Sequence, residues 1–85
     1  MSELSPEQIR AKRMRWHCRR GTTELERLLG RHLDRLLAAG DSRALDLFEQ
    51  LLAEEDRDLQ RWLLGYETCT VPEYVALIHD LRQPA

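Results

Sequence analysis

The stretch Arg19–Leu37, RRGTTELERLLGRHLDRLL, decides the fold. Leu25, Leu28, Leu29, Leu33, Leu36 and Leu37 recur in it at three- and four-residue steps, which places them on one side of a helix and marks that side for burial. The polar run ahead of the leucines reads as a junction between two helices. Gly21 can take the left-handed backbone conformation that ends a helix, and Thr22 or Thr23 can cap the next one. The spacing from Thr23 to Glu26 fits a capping box. Neither signal uses Arg20 or Glu24, and neither residue lies on the leucine stripe. Both are therefore candidates for work at an exposed surface.

Upstream, Ser5-Pro6-Glu7-Gln8 reads as a helix start, with serine as cap, proline at the first helical position and glutamine reaching back. That first helix is expected to run to about Arg20. Its apolar positions Ile9, Met14 and Trp16 are sparse, so it should pack lightly and leave most of its arginines in water. Downstream, Ala38-Ala39-Gly40 ends the leucine helix, and Asp41 or Ser42 can cap a third, with Leu45, Phe48, Leu51 and Leu52 inward and Glu49 and Glu54 outward. Asp56 or Asp58 begins a short fourth helix carrying Leu59, Trp62 and Leu63, and Gly65 ends it. After a loop from Tyr66 to Val71, Thr70 with Glu73, and Pro72 between them, start a fifth helix with Val75, Ile78 and Leu81 inward. No stretch alternates polar and apolar residues as a strand would. The expected architecture is all-α, a compact five-helix bundle forming a single domain over residues 1–85, with loose termini at about 1–5 and 83–85.

Eighty-five residues allow one small core and disfavour a deep two-lobed substrate cleft. No apolar run approaches the ~18 residues of a membrane span. Met1–Glu7 has two acids and no base, unlike a secretory signal or transit peptide, so a cytoplasmic protein is expected. The net charge of −2 conceals an asymmetry. Residues 1–40 carry nine bases and five acids, and residues 41–85 carry four and ten. Arg10, Lys12, Arg13, Arg15, Arg19 and Arg20 fall within eleven residues that contain no acid, which predicts a basic patch facing a partner.

Other chemistry is weakly signalled. His17, His32, His79, Cys18 and Cys69 lack ligand spacing, so surface histidines and buried free thiols are expected rather than a metal site or disulfide. A Cys18 nucleophile beside His17 is disfavoured because neighbours on a helix diverge by about a hundred degrees. The arginines around Cys18 would lower its pKa if the thiol were exposed. The basic run could contact nucleic-acid phosphates, although the acidic second half opposes this. The glycine junction could cradle a phosphate on free helix-start amides, with Glu24 opposing it. Trp62 shares a stripe with Leu59 and Leu63 and reads as core, whereas Trp16, among arginines, can be partly buried or stacked on a guanidinium.

Trp16, Cys18, Arg19, Arg20, Gly21 and Glu24, followed by Phe48, Leu51, Leu52, Asp56, Asp58, Leu59, Trp62, Leu63 and Gly65, resemble the SdhE-type FAD assembly factors over residues 9–82. That family comprises small five-helix bacterial proteins related to a mitochondrial succinate dehydrogenase assembly factor, and Arg-Gly-x-x-Glu is its signature. Thr22 stands where many members carry methionine, and Glu26 replaces a common aspartate. The resemblance implies a non-enzymatic chaperone that binds the flavoprotein subunit of succinate dehydrogenase, and that of fumarate reductase as a further client. It would promote covalent attachment of FAD to a histidine of that partner, with no cofactor stably bound and no metal of its own, no nucleic-acid partner and no direct membrane insertion. Arg20, Gly21 and Glu24 would form the partner-binding turn, supported by Arg15, Arg19 and Trp16. The alternative from the residues alone is a small nucleic-acid-binding regulator using the basic first helix.

Overall fold

The structure is a computed structural model that describes residues 4–83. Five helices follow one another: α1 (Pro6–His17), α2 (Thr23–Ala39), α3 (Ser42–Leu52), α4 (Asp56–Leu63) and α5 (Pro72–Arg82). Helix α2 packs against all four others, α1 also touches α3, and α5 also touches α3 and α4. The leucine stripe read from the sequence is therefore the spine of the molecule. Leu25, Leu29 and Leu33 from α2 are fully buried with Met14, Phe48, Leu51, Leu59 and Leu81, so every helix contributes to one core. Among the described residues there are no strands, and the all-α bundle expected from periodicity is what forms.

Local signals set most of the boundaries. Ser5 makes the capping box with Gln8: its hydroxyl accepts from the Gln8 amide, and the Gln8 side chain accepts from the Ser5 amide. Gly40 closes α2 in the left-handed conformation at φ 69°, and the Asp41 carboxylate accepts from the amides of Arg43 and Ala44 to open α3. Gly65 follows α4 at φ 85°, where a Cβ would lie 2.8 Å from the Arg82 guanidinium.

Several boundaries and faces differ from expectation. Helix α1 stops at His17, three residues before Arg20, because Cys18 turns into the core and the Arg20 side chain takes the His17 carbonyl. Gly21, at φ 79°, thus shapes the link between α1 and α2 instead of capping α1 directly. Thr22 is the N-cap of α2 without a side-chain capping bond, and the Thr23–Glu26 box does not form. The Thr70–Glu73 box is also absent, since Val71 is the N-cap of α5 and carries no capping oxygen. The inward stripe of α5 is Tyr74, Leu77, Ile78 and Leu81, while Val75 is 49% exposed. Val75 is one residue out of phase with that stripe, about a hundred degrees around the helix. Leu37, near the C-terminal end of α2, is 37% exposed and lines an open groove with Ala11 and Met14 of α1 and Leu45 of α3. Gln83 is tied down, its carbonyl accepting from Arg31 and its side chain bonding His79. Residues 1–3 and 84–85, where loose termini are expected, lie outside the described residues.

Candidate functional site

The link Cys18–Thr22 joins the basic helix to the leucine spine. Arg20 does not project from it as an exposed arginine, since its side chain retains only 14% exposure. Its Nε donates to the His17 carbonyl at 2.7 Å, Nη1 to Asp56 Oδ1 at 2.9 Å and to the Glu54 carbonyl at 3.4 Å, and Nη2 to the Leu52 carbonyl. One guanidinium thereby satisfies carbonyls left over at the ends of α1 and α3 and pairs with the first residue of α4. The expectation that the helix corner leaves Arg20 unused is corrected. Its partners on α3 and α4 lie more than thirty residues away in sequence, so no local spacing reveals them.

The next residues are secured from the other side. Glu26 Oε2 accepts from the amides of Gly21 at 2.7 Å and Arg20 at 3.2 Å, and Gln60 Nε2 donates to the Thr22 hydroxyl at 3.1 Å. The sequence marks Glu26 as a capping partner, but for the wrong amides, and Gln60 carries no signal. Glu26 occupies the amides of Arg20 and Gly21 just ahead of the helix start, so it adds a second carboxylate, beside Glu24, that opposes a phosphate at the junction. Gly21 itself is exposed, and beyond its chain neighbours no atom of the described residues lies within 4 Å of where its Cβ would stand. Glu24 is about half exposed, and its one ion pair among the described residues is with Arg27 on its own helix, at 3.2 Å. Arg20 and Glu24 do not pair with each other: the first is bound to Asp56 and the second to Arg27.

Arg15, Trp16 and Arg19 lie just ahead of the turn. With Lys12 they line a shallow depression on α1, where Trp16 is 67% exposed and the Arg19 guanidinium stands 5.5 Å from its ring centroid. Arg15 reaches Asp34 at 2.6 Å. The basic run is largely neutralised within the fold, as Arg10 pairs with Asp46 and Glu49, Arg13 with Glu49, and Arg20 with Asp56. Of its six bases, Lys12 and Arg19 are the two without an ion pair among the described residues. The patch expected from sequence is thus smaller than its arginine count implies.

The thiols and histidines bear on chemistry only by exclusion. Cys18 is buried, and desolvation pushes its thiol up to about 11 against the opposing pull of Arg15 and Arg20, so the arginines do not activate it. Cys69 is also buried and free. His32 is not a surface residue: it is 6% exposed and tilted against Phe48, with ring centroids 5.4 Å apart. Burial, then the Arg35 charge, lowers its pKa, with Asp80 opposing. Among the described residues no group of three His, Cys, Asp or Glu side chains is placed to hold a metal, and no helix is long and apolar enough to cross a membrane.

Fold and junction together define a small all-helical protein whose central helix opens at a glycine turn held on both sides. The family model described as "Flavinator of succinate dehydrogenase" matches residues 12–85. The FAD assembly factor SdhE of Xylella fastidiosa (strain Temecula1) is 39% identical over 70 residues, covering 82% of this chain and 72% of that protein. The protein of the same name from Coxiella burnetii is 35% identical over 77 residues, covering 91% and 94%. That from Shewanella oneidensis is 36% identical over 70 residues, covering 82% and 85%. No solved structure gives a significant match. The chain belongs to the SdhE family of FAD assembly factors, the flavinators of succinate dehydrogenase.

Proposed function

We propose that this protein is a cytoplasmic chaperone that binds the flavoprotein subunit of succinate dehydrogenase and promotes covalent attachment of FAD to a histidine there. The flavoprotein of fumarate reductase is a second client. Family membership supports the class of function. The observation that carries the site is the half-exposed Glu24 near an open, left-handed Gly21 whose flanking residues, Arg20 and Thr22, are tied into the fold. A partner backbone can approach Gly21 closely, and the Glu24 carboxylate is free to leave Arg27 for a group on the flavoprotein, since an exposed i,i+3 pair is worth only a few tenths of a kcal/mol. Arg20 contributes chiefly by fixing the turn. Trp16 and Arg19 add an apolar and cationic contact alongside it, with Arg15 in support.

In this role the protein takes no part in bond making. The flavoprotein and FAD supply the attachment chemistry, and the helical protein favours the conformation in which the reacting groups are aligned. It holds no cofactor of its own. The nucleic-acid alternative has less support, because Arg10, Arg13, Arg15 and Arg20 already have carboxylate partners and would release few counterions on binding phosphate.

In cells lacking the protein, covalent flavin on the denatured succinate dehydrogenase flavoprotein is expected to fall, to return with wild type, and to stay low with Glu24→Ala. In-gel flavin fluorescence reads this directly. Full flavinylation in the deletion strain would refute the chaperone role, and full rescue by Glu24→Ala would remove Glu24 from the contact.

A further inference from the structure

Glu26 stands on the first turns of α2, and a single oxygen of its carboxylate accepts from two successive amides ahead of the helix, those of Gly21 at 2.7 Å and Arg20 at 3.2 Å. Two consecutive amides converging on one point form an anion-binding concavity. Here the anion belongs to the same chain. The carboxylate grips the peptide groups that lead into Gly21, whose φ of 79° sets the direction in which the chain enters α2. On the other side Arg20 is held by the carbonyls of His17, Leu52 and Glu54 and by Asp56. Thr22 is held by Gln60. Arg20 and Thr22, the residues flanking Gly21, are thus tied to the bundle, while Gly21 and Glu24 are presented to solvent.

We propose that Glu26 is a positioning residue for flavinylation: by closing on the Arg20 and Gly21 amides it orders the turn before the flavoprotein arrives. The proposal rests on the reading of that turn as the flavoprotein contact. A turn ordered in advance spares the complex the entropy of ordering it on association. Glu26 therefore acts on how much protein is needed to half-saturate the flavoprotein, and Glu24 acts on the complex once formed. A role limited to the stability of α2 through its dipole would shift the melting temperature and leave the half-saturating concentration unchanged.

The test uses the full chain and its Glu26→Ala, Glu26→Gln and Glu24→Ala variants, with purified apo-flavoprotein and FAD. Both amides converge on one oxygen, so a glutamine carbonyl can replace it with weaker, uncharged bonds, and alanine cannot. Alanine is also a good helix former, so α2 is kept. Hydrogen exchange of the Arg20 and Gly21 amides, followed by nuclear magnetic resonance, is expected to be slow in wild type and to accelerate roughly tenfold in Glu26→Ala, the scale of a charge-assisted hydrogen bond. The half-saturating concentration for flavinylation should rise by a similar factor, with the maximal rate within about twofold of wild type and Glu26→Gln intermediate. Unprotected amides in the wild-type protein overturn the proposal, and so does a Glu26→Ala variant with wild-type half-saturation beside a defective Glu24→Ala. If neither variant affects flavinylation, the assignment of the turn as the contact falls, and the proposal with it.

Discussion

Gly21 and His32 show how single residues carry conformational and electrostatic information that the chain as a whole must respect. Gly21 sits at φ 79° with open space where a Cβ would go, so an alanine there is strained by its backbone and not by a clash. Gly21→Ala should destabilise the protein by about 1 kcal/mol and lower its melting temperature by roughly 4–8 °C, with Gly21→Asn affected less. Circular dichroism melts check this ranking. Equal melting temperatures for Ala and wild type would mean that the turn relaxes out of the left-handed region.

His32 is packed against Phe48, lies near the charges of Arg35 and Asp80, and has no hydrogen-bond partner at Nε2 among the described residues. Its folded pKa lies below the ordinary value of 6.5, so on acidification the unfolded chain takes up the proton first. The stabilising contribution of a neutral His32 is complete above that value and is lost as the pH falls below it. Between about pH 7 and pH 5 the wild type should therefore lose stability more steeply than His32→Leu, measured by urea midpoints at each pH. Parallel curves would place the acid sensitivity elsewhere. The sequence names His32 but, for want of ligand spacing, puts it at the surface, whereas its burial comes from packing against Phe48 of α3, which no local pattern shows.

At the level of elements, caps written in short polar motifs proved legible where the side chain had no competing partner. Ser5 and Asp41 cap α1 and α3 as their positions suggest. Asp41→Ala removes the acceptor for the amides of Arg43 and Ala44, and should destabilise by about 1 kcal/mol, with Asp41→Ser recovering most of it. Thermal melts of the two variants decide it, and an alanine variant as stable as wild type would show that water replaces the cap. The Thr23–Glu26 box fails for the opposite reason: Thr22 takes the N-cap position, and its hydroxyl and the glutamate both have other partners. Gln60 from α4 takes the threonine hydroxyl, and the glutamate reaches past the helix start to the turn. In helix α5 the expected inward positions hold for Ile78 and Leu81 and fail at Val75. Val75, Ile78 and Leu81 satisfy helical spacing as well as Tyr74, Leu77, Ile78 and Leu81 do, and the choice falls to which face meets α2, α3 and α4.

On the scale of the molecule, five short helices share one core around Phe48, so removing that ring should be felt everywhere at once. Phe48 is fully buried, and Phe48→Ala should cost about 3–5 kcal/mol. That is a large part of the roughly 5–15 kcal/mol available to a small domain. Urea denaturation followed by helical ellipticity should show one transition at a much lower midpoint. A small shift would mean that the bundle collapses into the vacated space. The charge asymmetry between the halves also resolves at this scale. Bases of α1 and of the link after it meet acids of α2, α3 and α4, which turns most of the basic run into ion pairs within the chain and leaves Lys12 and Arg19 beside Trp16.

The sequence by itself determined the helical class, the leucine spine, the position of the glycine turn and the family, because periodicity, capping residues and a short motif are properties of neighbours along the chain. Only the tertiary structure decided what holds that turn. Arg20 is bound to the α3–α4 corner, Gln60 to Thr22, and Glu26 to amides outside its own helix. Most of those bonds join residues brought together by packing, and no spacing along the chain encodes them. The same separation explains why the expectation of exposure holds for Glu24 and fails for Arg20: solvent surrounds a residue whose partners are local, and burial follows one whose partners are distant.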